Sequence, residues 1–96
     1  MLNSAIVVDK LDNVATALRN LEPGESIRID IGGTVNEIAI KESIPQGFKI
    51  ALEDISEGQP VIKYGEVIGL ATQNIAKGIC VHIHNLEGMK GRGDKA

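Results

Sequence analysis

The sequence predicts a mainly β domain, barrel-like or clip-like, with one short helix near its N-terminus. Three observations carry that reading. The composition is 43% hydrophobic and rich in Ile and Val, and its aromatics are Phe48 and Tyr64 with no Trp, which favours strands around an aliphatic core. Apolar and polar residues alternate from Ser26 to Ile40, the period of a strand rather than of a helix. A unit made of an aliphatic residue, a glycine three positions on and another aliphatic three beyond it occurs four times: Leu21-x-x-Gly24-x-x-Ile27, Ile44-x-x-Gly47-x-x-Ile50, Ile55-x-x-Gly58-x-x-Val61 and Ile75-x-x-Gly78-x-x-Val81. Each copy reads as a buried anchor, a turn at a glycine with positive φ and the start of a strand. Their uneven spacing excludes a solenoid, which needs a fixed period.

In chain order, Ala5-Ile6-Val7-Val8 reads as a first strand. Asp12 or Asn13 can cap a helix over the next segment, where Val14, Ala17, Leu18 and Leu21 recur at helical spacing until Glu22-Pro23-Gly24 stops it. Strands Ser26–Ile31 and Thr34–Ile40 flank Gly32-Gly33 and should pair antiparallel as a hairpin. From Val61 to Thr72 two short strands surround a Tyr64-Gly65-Glu66 turn, and Gly69 within the second suggests a bulge or the close approach of another backbone. The last glycine unit leads into Val81-His82-Ile83-His84-Asn85, expected to be the final strand. After it the glycine-rich, mildly basic residues read as a flexible tail, so the domain is placed at 1–86 and the tail at 87–96. That tail either frays, folds over a site or engages a partner.

Composition restricts the function. The 96 residues suffice for one domain with a modest core but not for a cleft walled by two lobes, so a partner is considered from the outset. With 10 basic and 13 acidic residues the net charge is -3, and no basic run is interleaved with aromatic platforms, so nucleic-acid binding is not expected. Cys80 has no second cysteine to pair with and calls for no oxidising compartment. No apolar run approaches a membrane span and the first residues lack the charged start of a signal peptide. A cytoplasmic protein is expected.

Both histidines lie in Val81-His82-Ile83-His84-Asn85. On a strand, residues two apart share a face, which would make His82 and His84 a paired imidazole edge suited to a divalent metal or a polyhydroxylated substrate. The same spacing also describes two half-exposed histidines on an ordinary strand. Spacing does not decide between them.

Several stretches together resemble the small N-terminal domain, or separate small subunit, of the altronate/galactarate dehydratase family, a module of SAF, or β-clip, architecture. They are Asp12-Asn13-Val14-Ala15, Gly47-Phe48-Lys49-Ile50-Ala51-Leu52, Val61-Ile62-Lys63-Tyr64-Gly65 with Ile68-Gly69, Val81-His82-Ile83-His84-Asn85 and Gly91-Arg92-Gly93-Asp94. The resemblance implies an SAF-type fold and a share in removing water from sugar acids such as altronate or galactarate to give 2-keto-3-deoxy acids, with a divalent metal, commonly iron. It also extends to sulfolactate sulfo-lyase, which eliminates sulfite and is built from separate small and large subunits. Because the fused enzymes continue beyond Gly91-Arg92-Gly93-Asp94, the expectation is the small subunit of a split enzyme whose site is shared with a large catalytic subunit. Association of the isolated chain with itself remains open.

Implied site roles follow the matched positions. His82 and His84 would bind metal or substrate and serve as acid or base, Asn85 would orient, Asp12 and Asn13 would contact substrate, and Lys49 or Arg92 would neutralise a carboxylate. Lys63 reads as solvated strand charge. Two departures stand out: Phe48 replaces the histidine of the family's Gly-His-Lys, and Lys10-Leu11 precedes Asp12 where the family has His-Pro. Phenylalanine can neither ligate metal nor exchange protons. The competing expectation is therefore a non-catalytic carbohydrate-binding or assembly module on the same scaffold.

Overall fold

The structure, a computed structural model, describes residues 4–88. Among these residues nine strands and no helix occur: β1 (Ala5–Ile6), β2 (Val14–Ala17), β3 (Ser26–Ile31), β4 (Thr34–Ala39), β5 (Lys49–Ala51), β6 (Pro60–Lys63), β7 (Glu66–Ala71), β8 (Cys80–Val81) and β9 (Leu86–Gly88). They form a central antiparallel sheet ordered β1-β2-β5-β8, the ribbon β3-β4 and a third sheet β6-β7-β9. Among the described residues no helix is long and apolar enough to cross a membrane.

The helix expected after Asp12 is corrected to strand β2. This strand lies inside the central sheet, pairing with β1 through Ala5↔Ala17 and with β5 through Ala15↔Ile50. Ala15, Ala17, Ile50 and Cys80 face a core shared with the β3-β4 ribbon, whereas Val14, Ala51 and Val81 face a second core beneath β6 and β7. A strand buried on both faces has no polar alternation. Its Val-Ala-Thr-Ala sequence therefore mimics the spacing of a helix while the flanking strands claim its backbone.

The four glycine units build the rest of the frame. Each contains a turn closed from its fourth N–H to its first carbonyl: Glu25 to Glu22 at 3.2 Å, Phe48 to Pro45 at 3.0 Å, Gln59 to Ser56 at 2.9 Å and Ile79 to Ala76 at 3.1 Å. Glycine holds the third place every time, with φ of 95°, 88°, 87° and 90°, as a type II turn requires. The units also pair reciprocally. Leu21 bridges Ile44, and Ile55 bridges Ile75, all four side chains being buried. In each pair the glycine N–H donates to the carbonyl four residues before the partner's anchor: Gly24 to Ile40 and Gly47 to Ala17, then Gly58 to Ala71 and Gly78 to Ala51. The first pair closes one core and the second the other, so the central sheet separates two copies of one device.

The hairpin expected from Ser26 to Ile40 is present, with Ile31 opposite Thr34 across Gly32-Gly33. Between β6 and β7 the register moves from Val61↔Gly69 to Ile62↔Val67, leaving Ile68 bulged. A Cβ on Gly69 would collide with the Glu87 carbonyl of β9, the close approach that the glycine signalled. Strand β9 carries the sheet through Gly88, so Glu87 and Gly88, assigned to the tail, belong to it. The remainder of the expected tail, Arg92 included, lies outside the described residues.

Candidate functional site

The segment carrying both histidines is corrected from a strand to a turn. Strand β8 ends at Val81, and residues His82 to Asn85 reverse the chain into β9. The Asn85 N–H donates to the His82 carbonyl at 3.0 Å. Asn85 itself is 1% exposed; its Oδ1 accepts the His82 N–H at 2.9 Å and its Nδ2 donates to the Cys80 carbonyl at 2.8 Å. An asparagine that satisfies backbone in this way stabilises a turn against continued pairing. The consequence is visible at Ile83, which strand alternation would bury and which is 83% exposed. His84 is exposed and His82 half-buried.

The ladder between β5 and β8 brings Lys49 opposite Val81, next to His82. Phe48, directly before β5, stacks on the His82 imidazole with ring centroids 4.1 Å apart and planes at 29°. This contact joins residues 34 positions apart, 82 minus 48, through the pairing of two short strands. The His82 Nδ1 is buried and has no hydrogen-bond partner. Burial holds the Lys49 ammonium below its ordinary pKa, with repulsion from Lys63 acting the same way and Cys80 opposing. Among the described residues Lys49 makes no ion pair, and the salt bridge is Arg19–Glu25, at 2.7 Å by the turn of the first unit. Burial likewise raises the Cys80 thiol, aided by Glu42, whose Oε2 accepts the Cys80 N–H at 2.8 Å.

Asp12 and Asn13 serve the frame. Asp12 Oδ1 accepts the Gly65 N–H at 2.8 Å and Oδ2 the Asp9 N–H at 3.2 Å. Asn13 Oδ1 accepts the Ile62 N–H at 2.7 Å while Nδ2 donates to the Pro60 carbonyl at 2.9 Å. Both therefore cap backbone, that of the β6-β7 hairpin rather than of a helix. The hairpin tip is tight, with Tyr64 at φ 56° and Gly65 at 74°, and Lys63 Nζ lies 4.8 Å from the Tyr64 ring centroid.

Of the expected site residues the structure thus assembles His82, His84 and Asn85 on one turn, while Lys49, opposite Val81, lies on the second-core face of the central sheet and His82 stacks on Phe48 at the first-core face. Phe48, Lys63 and Glu42 were missed as neighbours. The spacing of the glycine units offered a signal for Phe48, because it immediately follows a turn glycine and must start where β5 starts. Nothing local indicated Glu42. As a metal centre the donor set is incomplete: among the described residues no three His, Cys, Asp or Glu side chains are grouped to hold an ion, and the buried Nδ1 of His82 lacks the acceptor that a ligating imidazole ordinarily has behind it.

Comparison with known proteins agrees with this architecture. Residues 3–89 match the altronate/galactarate dehydratase SAF domain. An altronate dehydratase of Bacillus subtilis is 42% identical over 84 residues, 88% of this chain and 16% of that protein. One from Escherichia coli is 41% identical over 80 residues, 83% of this chain and 15% of that protein. The alpha subunit of a (2R)-sulfolactate sulfo-lyase from Chromohalobacter salexigens is 41% identical over 51 residues, 53% of this chain and 54% of that subunit. The chain spans about one sixth of the length of the dehydratases it matches.

Proposed function

The chain belongs to the altronate/galactarate dehydratase SAF-domain family, and from that premise we propose that it is the small subunit of a split sugar-acid dehydratase, one wall of a site completed by a large catalytic subunit. The observation that carries this reading is Lys49. A half-buried ammonium that has a lysine neighbour and, among the described residues, no carboxylate partner costs stability, and such a group is characteristic of a site that awaits an anion. A sugar acid brings a carboxylate to meet such an ammonium.

Eliminating water from a 2,3-dihydroxy acid requires a base for the C2 proton and an acid for the departing hydroxyl. In this proposal His82 donates to an oxygen of the sugar acid, exposed His84 is the imidazole able to exchange a proton or reach a metal, and Lys49, on the other face of the central sheet, is a cation open to an anionic group. Asn85 acts on both by holding their turn, and Arg92 adds a second cation. A divalent metal, iron in the family's usual chemistry, would acidify the C2 proton by binding the carboxylate; its remaining ligands would come from the large subunit.

The test is reconstitution of the full chain with the large subunit, assayed with altronate, galactarate and sulfolactate. Replacing His82 and His84 together by alanine should abolish turnover while the fold survives. Near-normal turnover of that double variant would overturn the shared site. A second reading is favoured by one specific relative, the (2R)-sulfolactate sulfo-lyase subunit alpha, to which this chain is 41% identical over 51 residues. Turnover of sulfolactate alone would select that reading.

A further inference from the structure

We infer that Phe48 is a positioning residue that fixes His82 in the tautomer bearing its proton on Nε2, so that His82 meets its ligand as a hydrogen-bond donor and not as a metal ligand. A neutral imidazole has one N–H and one lone pair, and the surroundings of one nitrogen decide what the other offers. Here Nδ1 is buried with no partner. Three acceptors at the turn are already engaged: Asn85 Oδ1 by the His82 N–H, the His82 carbonyl by the Asn85 N–H and the Cys80 carbonyl by Asn85 Nδ2. Phe48, stacked at 4.1 Å, contributes only carbon. A proton on Nδ1 would create an orphaned buried N–H, which folded proteins tolerate less readily than an unmet acceptor. The proton therefore resides on Nε2.

Two consequences follow for the ligand. Metal binding through Nε2 would return the proton to Nδ1, where no acceptor stands, whereas ligating histidines ordinarily donate that proton to a carboxylate, carbonyl or water. Binding through Nδ1 itself is closed by burial. His82 thus offers its Nε2–H as a donor, a group that meets a carboxylate or hydroxyl oxygen. This identification of the ligand rests on the reading given under Proposed function; the tautomer does not.

The experiment is a long-range proton–nitrogen correlation spectrum of the nitrogen-15-labelled full chain, recorded well above the ordinary histidine pKa. Nδ1 of His82 is expected at the position of an unprotonated nitrogen and Nε2 at that of an N–H; the reverse assignment overturns the inference. Phe48→Ala, which removes the stacked ring and opens the imidazole to water, and Phe48→Gln, whose flexible amide can reach round the ring edge, should each raise the Nδ1–H population of His82 several-fold. An unchanged population in both variants, each shown folded by circular dichroism, overturns the role of Phe48. Titration with zinc alone should move the His84 nitrogens first and leave Nε2 of His82 at its N–H position, and metallation at that atom would refute the donor assignment. None of these signals requires turnover, so an inactive reconstituted enzyme would count against the dehydratase reading and leave the tautomer untouched.

Discussion

Replacing Asn85 by alanine tests the turn on which both histidines depend. The side chain is 1% exposed and makes two hydrogen bonds, to the His82 N–H at 2.9 Å and to the Cys80 carbonyl at 2.8 Å. Alanine leaves one buried donor and one buried acceptor unmatched, each costing about 1–3 kcal/mol. The combined loss is roughly 2–6 kcal/mol, a large part of the approximately 5–15 kcal/mol that stabilises a domain. With a urea m value on the order of 2 kcal/mol/M, the midpoint should fall by roughly 1–3 M at unchanged slope. Asn85→Asp sharpens the assay. It keeps an acceptor for the His82 N–H but turns an oxygen on the Cys80 carbonyl, so it should recover little. A loss under about 0.5 kcal/mol for alanine, the size of an ordinary surface change, or a wild-type midpoint for aspartate, would refute the assignment of both bonds.

Two other outcomes are expected. Burial places the Lys49 pKa below its ordinary 10.5, so between the folded and unfolded values the unfolded chain holds more protons and stability rises with pH. Lys49→Met should therefore raise the urea midpoint at neutral pH, with the gain shrinking as pH climbs through that window, while binding of a sugar acid to the reconstituted complex weakens. Gly58 and Gly78 share nearly the same φ, 87° and 90°, yet a Cβ at Gly58 meets nothing within 4 Å whereas one at Gly78 strikes the Ala39 carbonyl. Gly58→Ala should cost only the backbone strain of about 1–2 kcal/mol, and Gly78→Ala distinctly more in the same urea titration.

The elements legible in the sequence are those whose local chemistry is decisive. The β3-β4 ribbon has an exposed face that preserves alternation, and the four turn glycines adopt a backbone that other residues resist. Strand β2 was concealed because both its faces are buried and its identity depends on β1 and β5. The histidine turn was concealed differently: Val81-His82-Ile83-His84 alternates by coincidence, and the deciding bond runs from Asn85 back to Cys80. Asparagine ending an apolar run is itself a turn signal. A second signal was present just before three of the four anchors. Asn20, Asp54 and Asn74 accept the Gln46, Lys77 and Glu57 N–H groups of the partner unit at 2.8 to 2.9 Å, so the repeating unit begins one residue earlier than its glycine spacing shows. Of the site itself, the His82, His84 and Asn85 cluster and Lys49 could be named from the family motif, but the Phe48 stack required the topology.

Strand β8 is the outer strand of the central sheet and only two residues long. Opposite Ile50, both main-chain groups of Cys80 point away from β5 toward the open side, where they are taken by Glu42 and Asn85 side chains. An open edge of this kind invites another chain to add itself, strand upon strand. Two side chains here occupy the hydrogen-bonding positions that such an intruder would use. The asparagine that shapes the candidate site thus also protects the sheet from self-assembly, so selection for solubility and selection for the site would act on the same residue.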